Sequence, residues 1–395
     1  MKTWLWVLKL FFFLLPFGSE ASNLPDFVVP TGLGVASHFH ALPAKKDLVL
    51  LQQAGIHIVR TCVTWEKVER EKGVYNFENY VHLADALRKQ GIRPIFILAY
   101  GNPLYDASDK PFHEGPGSTE VRTAFARFAG AAAAAFRDRD VIWEIWNEPN
   151  INPFWRPKRD PVAYVNLVKE ASQAIRKEDL NAFIVGPSLA GGHKQALSYL
   201  GRCFKLGLLE FVDAVSVHPY RKVMPESVVA YYSEIRRAIE IYAPLNKKEI
   251  PIIVSEWGYS VTNHSFQEQA DYLVRSYLVN LSCGVPITVW YDWRDDGENP
   301  KNREHNFGLL RFNYSEKLSY SKLVEMTREL RGYHYKKRVQ GESDDDWVLL
   351  FSNGKKNKVV LWTTGKPHRF FTDSVELAPD KIFYLSASPM YWDMN

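Results

Sequence analysis

The sequence predicts an α/β fold: a (β/α)8 TIM barrel with a small C-terminal β-rich appendage. Three observations lead there. Short β-branched or aromatic runs alternate with segments of helical period from residue 30 to residue 333, eight such pairs occur, and after Tyr335 the pattern turns to strands alone. Eight parallel strands, each followed by a helix, close on themselves rather than spreading into an open sheet.

The strands are expected at 32–36, 57–63, 93–99, 141–146, 183–185, 214–217, 252–254 and 287–290. Amphipathic helices are expected between and after them at 77–89, 121–136, 162–175, 228–241, 267–281 and 317–330. Residues 336–395 read as a β-rich unit with strands at 347–351, 359–363 and 381–385 and a Ser-Asn-Gly turn at 352–354. Sixty residues make a thin core of their own, so this unit should pack on the barrel, joined by residues 24–30. Lys355, Lys356 and Lys358 are expected at a solvated hairpin tip.

Composition excludes several classes. A chain of 395 residues with 46% hydrophobic and 24% charged side chains can bury a large core. Its net charge of +4 comes without a basic cluster, so no nucleic-acid partner is expected. Cys62, Cys203 and Cys283 are too few and too scattered for a disulfide scaffold or a zinc cluster; three buried thiols are expected. Residues 1–21 read as a signal peptide, with Lys2, an apolar run from Trp4 to Phe17 and small residues before a cleavage point after Ala21. That run falls short of the ~20 residues of a bilayer span, so the expectation is a secreted or periplasmic protein with no stable membrane span.

In such barrels the reactive groups come from the carboxyl ends of the strands. Two ends carry carboxylates after apolar runs: Trp143-Glu144-Ile145-Trp146-Asn147-Glu148-Pro149-Asn150 on the fourth strand and Ser255-Glu256-Trp257-Gly258 on the seventh. An ionisable group in such a setting costs solvation, which is tolerated mainly where chemistry needs it. Strands four and seven face each other across the mouth, so Glu148 and Glu256 can flank one bond as glycoside hydrolysis requires. Glu144 shares their face but should lie ~13 Å lower on an extended strand, as a floor charge held by a partner. Trp290, ending the eighth strand, is the expected floor of the subsite at the cleaved bond. Trp257 is a further aromatic contact, and Trp65, Trp155 and Trp293 are candidates for sugar platforms or loop core. Trp146 is expected inside the barrel. His38, Asn102 and Tyr105 are expected as further sugar contacts.

These motifs resemble the retaining (β/α)8 glycoside hydrolases with acid/base on strand four and nucleophile on strand seven. Trp-Asn-Glu-Pro-Asn at 146–150, Ser-Glu-Trp-Gly at 255–258, His-Pro-Tyr at 218–220 and Val-Arg at 59–60 carry the resemblance. Within that clan the chain is most similar to family 39, and stretches 65–77 and 96–105 are similar to its bacterial exopolysaccharide endoglycosidases. Family 5 cellulases share the clan motifs and match these stretches less well. The resemblance implies Glu148 as acid/base, Glu256 as nucleophile, Asn147 on the sugar 2-hydroxyl, Arg60 and Tyr220 on Glu256, and His218 orienting the network. It also implies no cofactor, no metal, a poly- or oligosaccharide substrate cut internally at β-linkages, and a monomer.

Two other readings compete. A metal-dependent amidohydrolase barrel could use His38, His40, His193, His218 and Asp292, although it lacks a fourth-strand lysine or histidine to bridge metals. A carbohydrate-binding barrel without turnover would keep the aromatics and lose the chemistry.

Overall fold

The computed structural model describes residues 24–106, 113–192, 194–372 and 381–394. The expected signal peptide lies outside the described residues, as does His193.

Eight parallel strands form a closed barrel: β1 (Leu33–Ala36), β2 (Ile58–Thr64), β3 (Arg93–Ala99), β4 (Ile142–Ile145), β5 (Phe183–Ala190), β6 (Ala214–His218), β7 (Ile252–Trp257) and β8 (Thr288–Trp290). Each strand pairs with its sequence neighbours, and β8 pairs with β1 to close the ring. Helices follow the strands in turn: α1 (Lys45–Gln53), α2 (Glu78–Arg88), α3 (Thr119–Ala135), α4 (Pro161–Glu178), α5 (Lys194–Lys205), α6 (Val228–Tyr242), α7 (Phe266–Ser282) and α8 (Leu318–Leu330). The barrel strands are almost wholly buried, with helices on one side and the packed interior on the other, so their sequences read as unbroken apolar runs.

Local chemistry sets the helix starts. The Asp160 carboxylate accepts the N–H groups of Val162 and Ala163, with Pro161 in the first turn of α4, and Ser265 and Glu268 cap α7 reciprocally. Helices α1 and α5 fall outside the stretches named from periodicity, although α5 buries Ala196, Tyr199, Leu200, Cys203 and Phe204 at helical spacing. Strand β5 runs five residues beyond the expected end at 185. Gly186 and Pro187 look like breakers but sit in a register shift, after which pairing with β6 resumes at Leu189.

The C-terminal unit is a four-stranded antiparallel sheet, from β9 (His334–Val339), β10 (Asp346–Ser352) and β11 (Asn357–Thr363) to β14 (Met390–Met394). A separate two-stranded antiparallel sheet pairs β12 (His368–Phe371) with β13 (Ile382–Leu385). The sheet is fastened to the barrel by buried polar contacts. Arg275 of α7 pairs with Glu226 at 2.7 Å, and the Trp362 indole donates to the same carboxylate at 2.8 Å. Lys358 is buried rather than at a solvated tip: its ammonium reaches Glu329 of α8 at 2.8 Å and Asp393 at 3.3 Å. Val28, in the segment 24–30, bridges His334 at the start of β9. All three cysteines are free; only Cys203 is fully buried.

Candidate active site

The exit of β4 breaks the strand's alternation. Trp146 (φ 67°) and Glu148 (φ 49°) both take the left-handed conformation, which costs a residue with a Cβ on the order of 1–3 kcal/mol. The surroundings hold it. The Trp146 N–H donates to Leu98 O at 3.0 Å, its indole to Phe154 O at 2.8 Å, and its carbonyl accepts from the Ser188 hydroxyl at 3.2 Å. Asn150 closes the turn, exchanging two hydrogen bonds of 2.9 Å with the backbone of Ala190 at the end of β5. The motif Trp-Asn-Glu-Pro-Asn is therefore a built turn that lifts Glu148 toward the barrel mouth. Across the barrel, Gly258 ends the Ser-Glu-Trp-Gly motif because a Cβ there would lie 1.9 Å from Tyr291 O.

Glu148 and Glu256 come together in a cleft of about 680 Å³, within the usual range for ligand sites. An oxygen of each carboxyl and a ring nitrogen of His218 lie within 4.8 Å of one another. His218 Nδ1 sits 2.8 Å from Glu148 Oε1, and its Nε2 sits 3.1 Å from the Ser255 hydroxyl. Arg60 is the hub beneath the pair. Its guanidinium donates to Glu144 at 2.6 Å, Glu256 at 2.7 Å and Asn147 Oδ1 at 2.8 Å, and the Tyr220 hydroxyl donates to the other oxygen of Glu256 at 2.8 Å. Glu144 is thus one guanidinium away from Glu256, not ~13 Å below the site, because the chain turns as soon as it leaves β4 and Arg60 reaches up from β2.

The environment separates the two carboxyls. Burial pushes Glu148 well above the usual carboxylate range, and the negative charge of Glu256 adds to the shift. Glu256 is also raised by burial, but less, because Arg60 and Tyr220 stabilise its ionised form. His218 is driven well below the ordinary imidazole range by burial and then by Arg60, so it is neutral at physiological pH.

Of the other residues expected at the site, His38 lines the cleft at its rim, with Asp296 3.3 Å away. Trp290 is not the floor of the cleft: it is 2% exposed, outside the cleft lining, and donates to Phe307 O at 3.3 Å. The aromatic presented by the end of β8 is the next residue, Tyr291. Trp257 is also buried away from the cleft, beneath the Arg221 guanidinium. Asn102 and Tyr105 turn inward: Asn102 donates to Glu69 O at 2.9 Å and accepts from Leu104, and the Tyr105 hydroxyl bonds the Glu69 carboxylate. Trp155 packs against Trp146 and Tyr164, and Trp65 and Trp293 are likewise core. The cleft is also lined by Tyr100, Phe154, Tyr291, Phe307, Lys67 and Arg303, none of them among the sugar contacts expected by residue. Tyr100 and Tyr291 stand one residue beyond a strand end and Lys67 three, whereas Phe154, Arg303 and Phe307 come from within the long loops after β4 and β8, where no local pattern marks them.

The amidohydrolase ligands do not gather into one group among the described residues, His38 and His218 falling in separate ones. Among the described residues, two groups could hold a cation, His38 with Asp292 and Asp296, and Glu148 with His218 and Glu256; His40 joins neither.

Residues 26–296 match the family described as Cellulase (glycosyl hydrolase family 5). The chain belongs to this family. Among solved structures it is similar to a family 39 glycoside hydrolase from the gut symbiont Bacteroides cellulosilyticus WH2, with a TM-score of 0.79, 26% identity, and coverage of 95% of this chain and 82% of that one. A monomeric β-xylosidase from Caulobacter crescentus CB15 shares the fold, with a TM-score of 0.66 and 20% identity over 88% of this chain and 76% of that one. A β-xylosidase from Caldicellulosiruptor saccharolyticus is 23% identical over 305 residues, 69% of this chain and 59% of that protein. A second, from Geobacillus stearothermophilus, is 23% identical over 177 residues, 42% of this chain and 34% of that protein. The chain therefore spans from a third to three fifths of these curated relatives. No helix among the described residues is long and apolar enough to cross a membrane.

Proposed function

We propose that the protein is a retaining glycosidase that cleaves a β-linked polysaccharide internally, with Glu148 as acid/base and Glu256 as nucleophile. The observation that carries the reading is that one oxygen of Glu148 and one of Glu256 lie within 4.8 Å of each other across the cleft, which favours the narrower of the two spacings such enzymes use. Retaining enzymes hold their carboxyls about 5–5.5 Å apart, whereas inverting ones need about 6.5–9.5 Å to admit a water.

The chemistry follows from the contacts. A neutral His218 donates from Nδ1 to Glu148 Oε1 and leaves Oε2 to carry the acid proton, while the Ser255 hydroxyl donates to Nε2. Glu148 passes that proton to the glycosidic oxygen as Glu256 attacks the anomeric carbon; the C–O bond breaks and a glycosyl-enzyme forms. Glu148, now a carboxylate, takes a proton from water, whose oxygen displaces Glu256 and releases the sugar with its configuration retained. With Asn147 Oδ1 held by Arg60, its Nδ2 donates to the sugar 2-hydroxyl. Tyr100 with Phe154 and Tyr291 with Phe307 supply aromatic walls for the apolar faces of the sugar rings.

The family 5 match covers residues 26–296, and kinship with the family 39 endoglycosidases of the same clan is inferred from stretches 65–77 and 96–105 and from the likeness to the Bacteroides enzyme. Export rests on residues 1–21, and action as a monomer on the clan resemblance. The deciding experiment pairs two variants on aryl glycosides and on polysaccharide. Glu256→Gln should abolish turnover of both, while Glu148→Gln should still release a phenol with a good leaving group and stall on polysaccharide. Full activity of Glu256→Gln would overturn the assignment, and binding without turnover by the unaltered protein would favour a carbohydrate-binding barrel.

A further inference from the structure

The loop after β8 carries a buried acid that the glycosidase reading does not use. Asp292 is 1% exposed, and its Oδ1 has no hydrogen-bond partner among the described residues. An unpaired buried carboxylate is costly and calls for a proton or a cation. The buried ammonium of Lys317 is already engaged by Asp295 at 2.6 Å. Asp295, Asp296 and Glu304 surround Asp292 with further negative charge.

One oxygen of Asp292, one of Asp296 and a ring nitrogen of His38 lie within 4.8 Å of one another. The His38 Nε2 to Asp296 Oδ2 distance is 3.3 Å. Two ligand atoms at 2.0–2.1 Å from a tetrahedral zinc ion stand roughly 3.3 Å apart, so this edge already has the length such an ion needs. The backbone holds the ligands in place: Trp293 N donates to Ala36 O at 2.9 Å, tying the His38 segment to the Asp292 segment, and Leu309 N donates to Asp292 O at 3.1 Å.

From a buried Asp292 carboxylate that has an unpartnered oxygen and lies within 4.8 Å of ligand atoms of His38 and Asp296, we infer that these three side chains form a binding site for a divalent transition cation of the zinc class. One imidazole with two carboxylates suits zinc better than the all-oxygen shells of calcium or magnesium. Three protein ligands leave a position open to water or to a substrate oxygen, and His38 and Tyr291 put the ion on the wall of the catalytic cleft. The ion fastens the loops of β1 and β8, adjacent strands of the ring.

The test is calorimetric titration of the chelator-stripped full chain with Zn2+, and separately with Ca2+. One Zn2+ per chain is expected, with a raised unfolding temperature. Asp292→Asn should weaken binding about a hundredfold or more, and Asp296→Asn and His38→Asn about tenfold or more each. Glu148→Gln should leave Zn2+ affinity unchanged, which separates this site from the Glu148, His218 and Glu256 group. Asp296 is exposed, so its variant keeps the test open should Asp292→Asn misfold. Failure to bind Zn2+ at millimolar concentration, tighter binding of Ca2+, or Zn2+ binding that survives Asp296→Asn and falls with Glu148→Gln would each overturn the site. None of these results bears on whether Glu256 is a nucleophile.

Discussion

Replacing Arg60 with methionine separates what the site needs for folding from what it needs for chemistry. The guanidinium is buried and serves three acceptors at once, two of them carboxylates. Removing it strands Glu144, which is fully buried and whose Oε1 already has no partner among the described residues. Leaving one member of a buried pair alone costs about 3–5 kcal/mol, and the abandoned Asn147 oxygen adds about 1–3 kcal/mol. Against a total stability of about 5–15 kcal/mol, such a loss is plain in a urea titration. Adding Glu144→Gln removes the stranded charge and should restore most of the stability. It should not restore activity, because Glu256 still lacks its cation, and kcat/KM should stay down about a hundredfold or more. The paired assays are equilibrium unfolding and kcat/KM for Arg60→Met, Glu144→Gln and the double variant. An Arg60→Met protein within about 1 kcal/mol of the parent, or a double variant no more stable than Arg60→Met, would refute the hub role.

Other expectations follow from the same contacts. Tyr220→Phe removes a hydrogen bond to an ionised carboxylate worth about 1.5–3 kcal/mol, so kcat should fall roughly ten- to a hundredfold, and the acid limb of the pH profile should move up, as steady-state rates between pH 3 and 8 will show. The full profile of kcat/KM should be bell-shaped. Activity is lost as pH falls through the raised value of Glu256, which must be ionised, and lost again as pH rises through the still higher value of Glu148, which must be protonated; Glu148→Gln should abolish the alkaline limb on substrates with activated leaving groups. Tyr291→Ala should lower kcat/KM about tenfold or more with little change in unfolding midpoint, whereas Trp290→Phe should lower the midpoint and spare kcat/KM.

Much of the fold and the heart of the site are legible in the sequence because they rest on period and covalent order. Eight apolar runs at βα spacing require eight strands, and carboxylates at the ends of the fourth and seventh must face one another once the ring closes. What escaped depends on where the chain leaves a strand. Trp290 and Tyr291 are adjacent, and alternation cannot say which faces the cleft once β8 ends. Trp146 and Glu148 adopt left-handed backbone, so counting along β4 put Glu144 too far from the site. Asn102 and Tyr105 fold back onto Glu69, a partner more than 30 residues away that no local pattern announces. Lys358 looked like a surface charge because its partners Glu329 and Asp393 come from elements distant in the chain.

The most direct measurement is proton NMR of the first-formed product. A panel of β-linked glucans, xylans and mannans identifies a polymer that the protein cleaves, and the anomeric signal is then followed from the first minutes, before mutarotation mixes the anomers. A β-anomer appearing first is expected from an attack by Glu256 followed by water on the same face. An α-anomer appearing first would mean that water attacks directly, contradicting a covalent intermediate on Glu256.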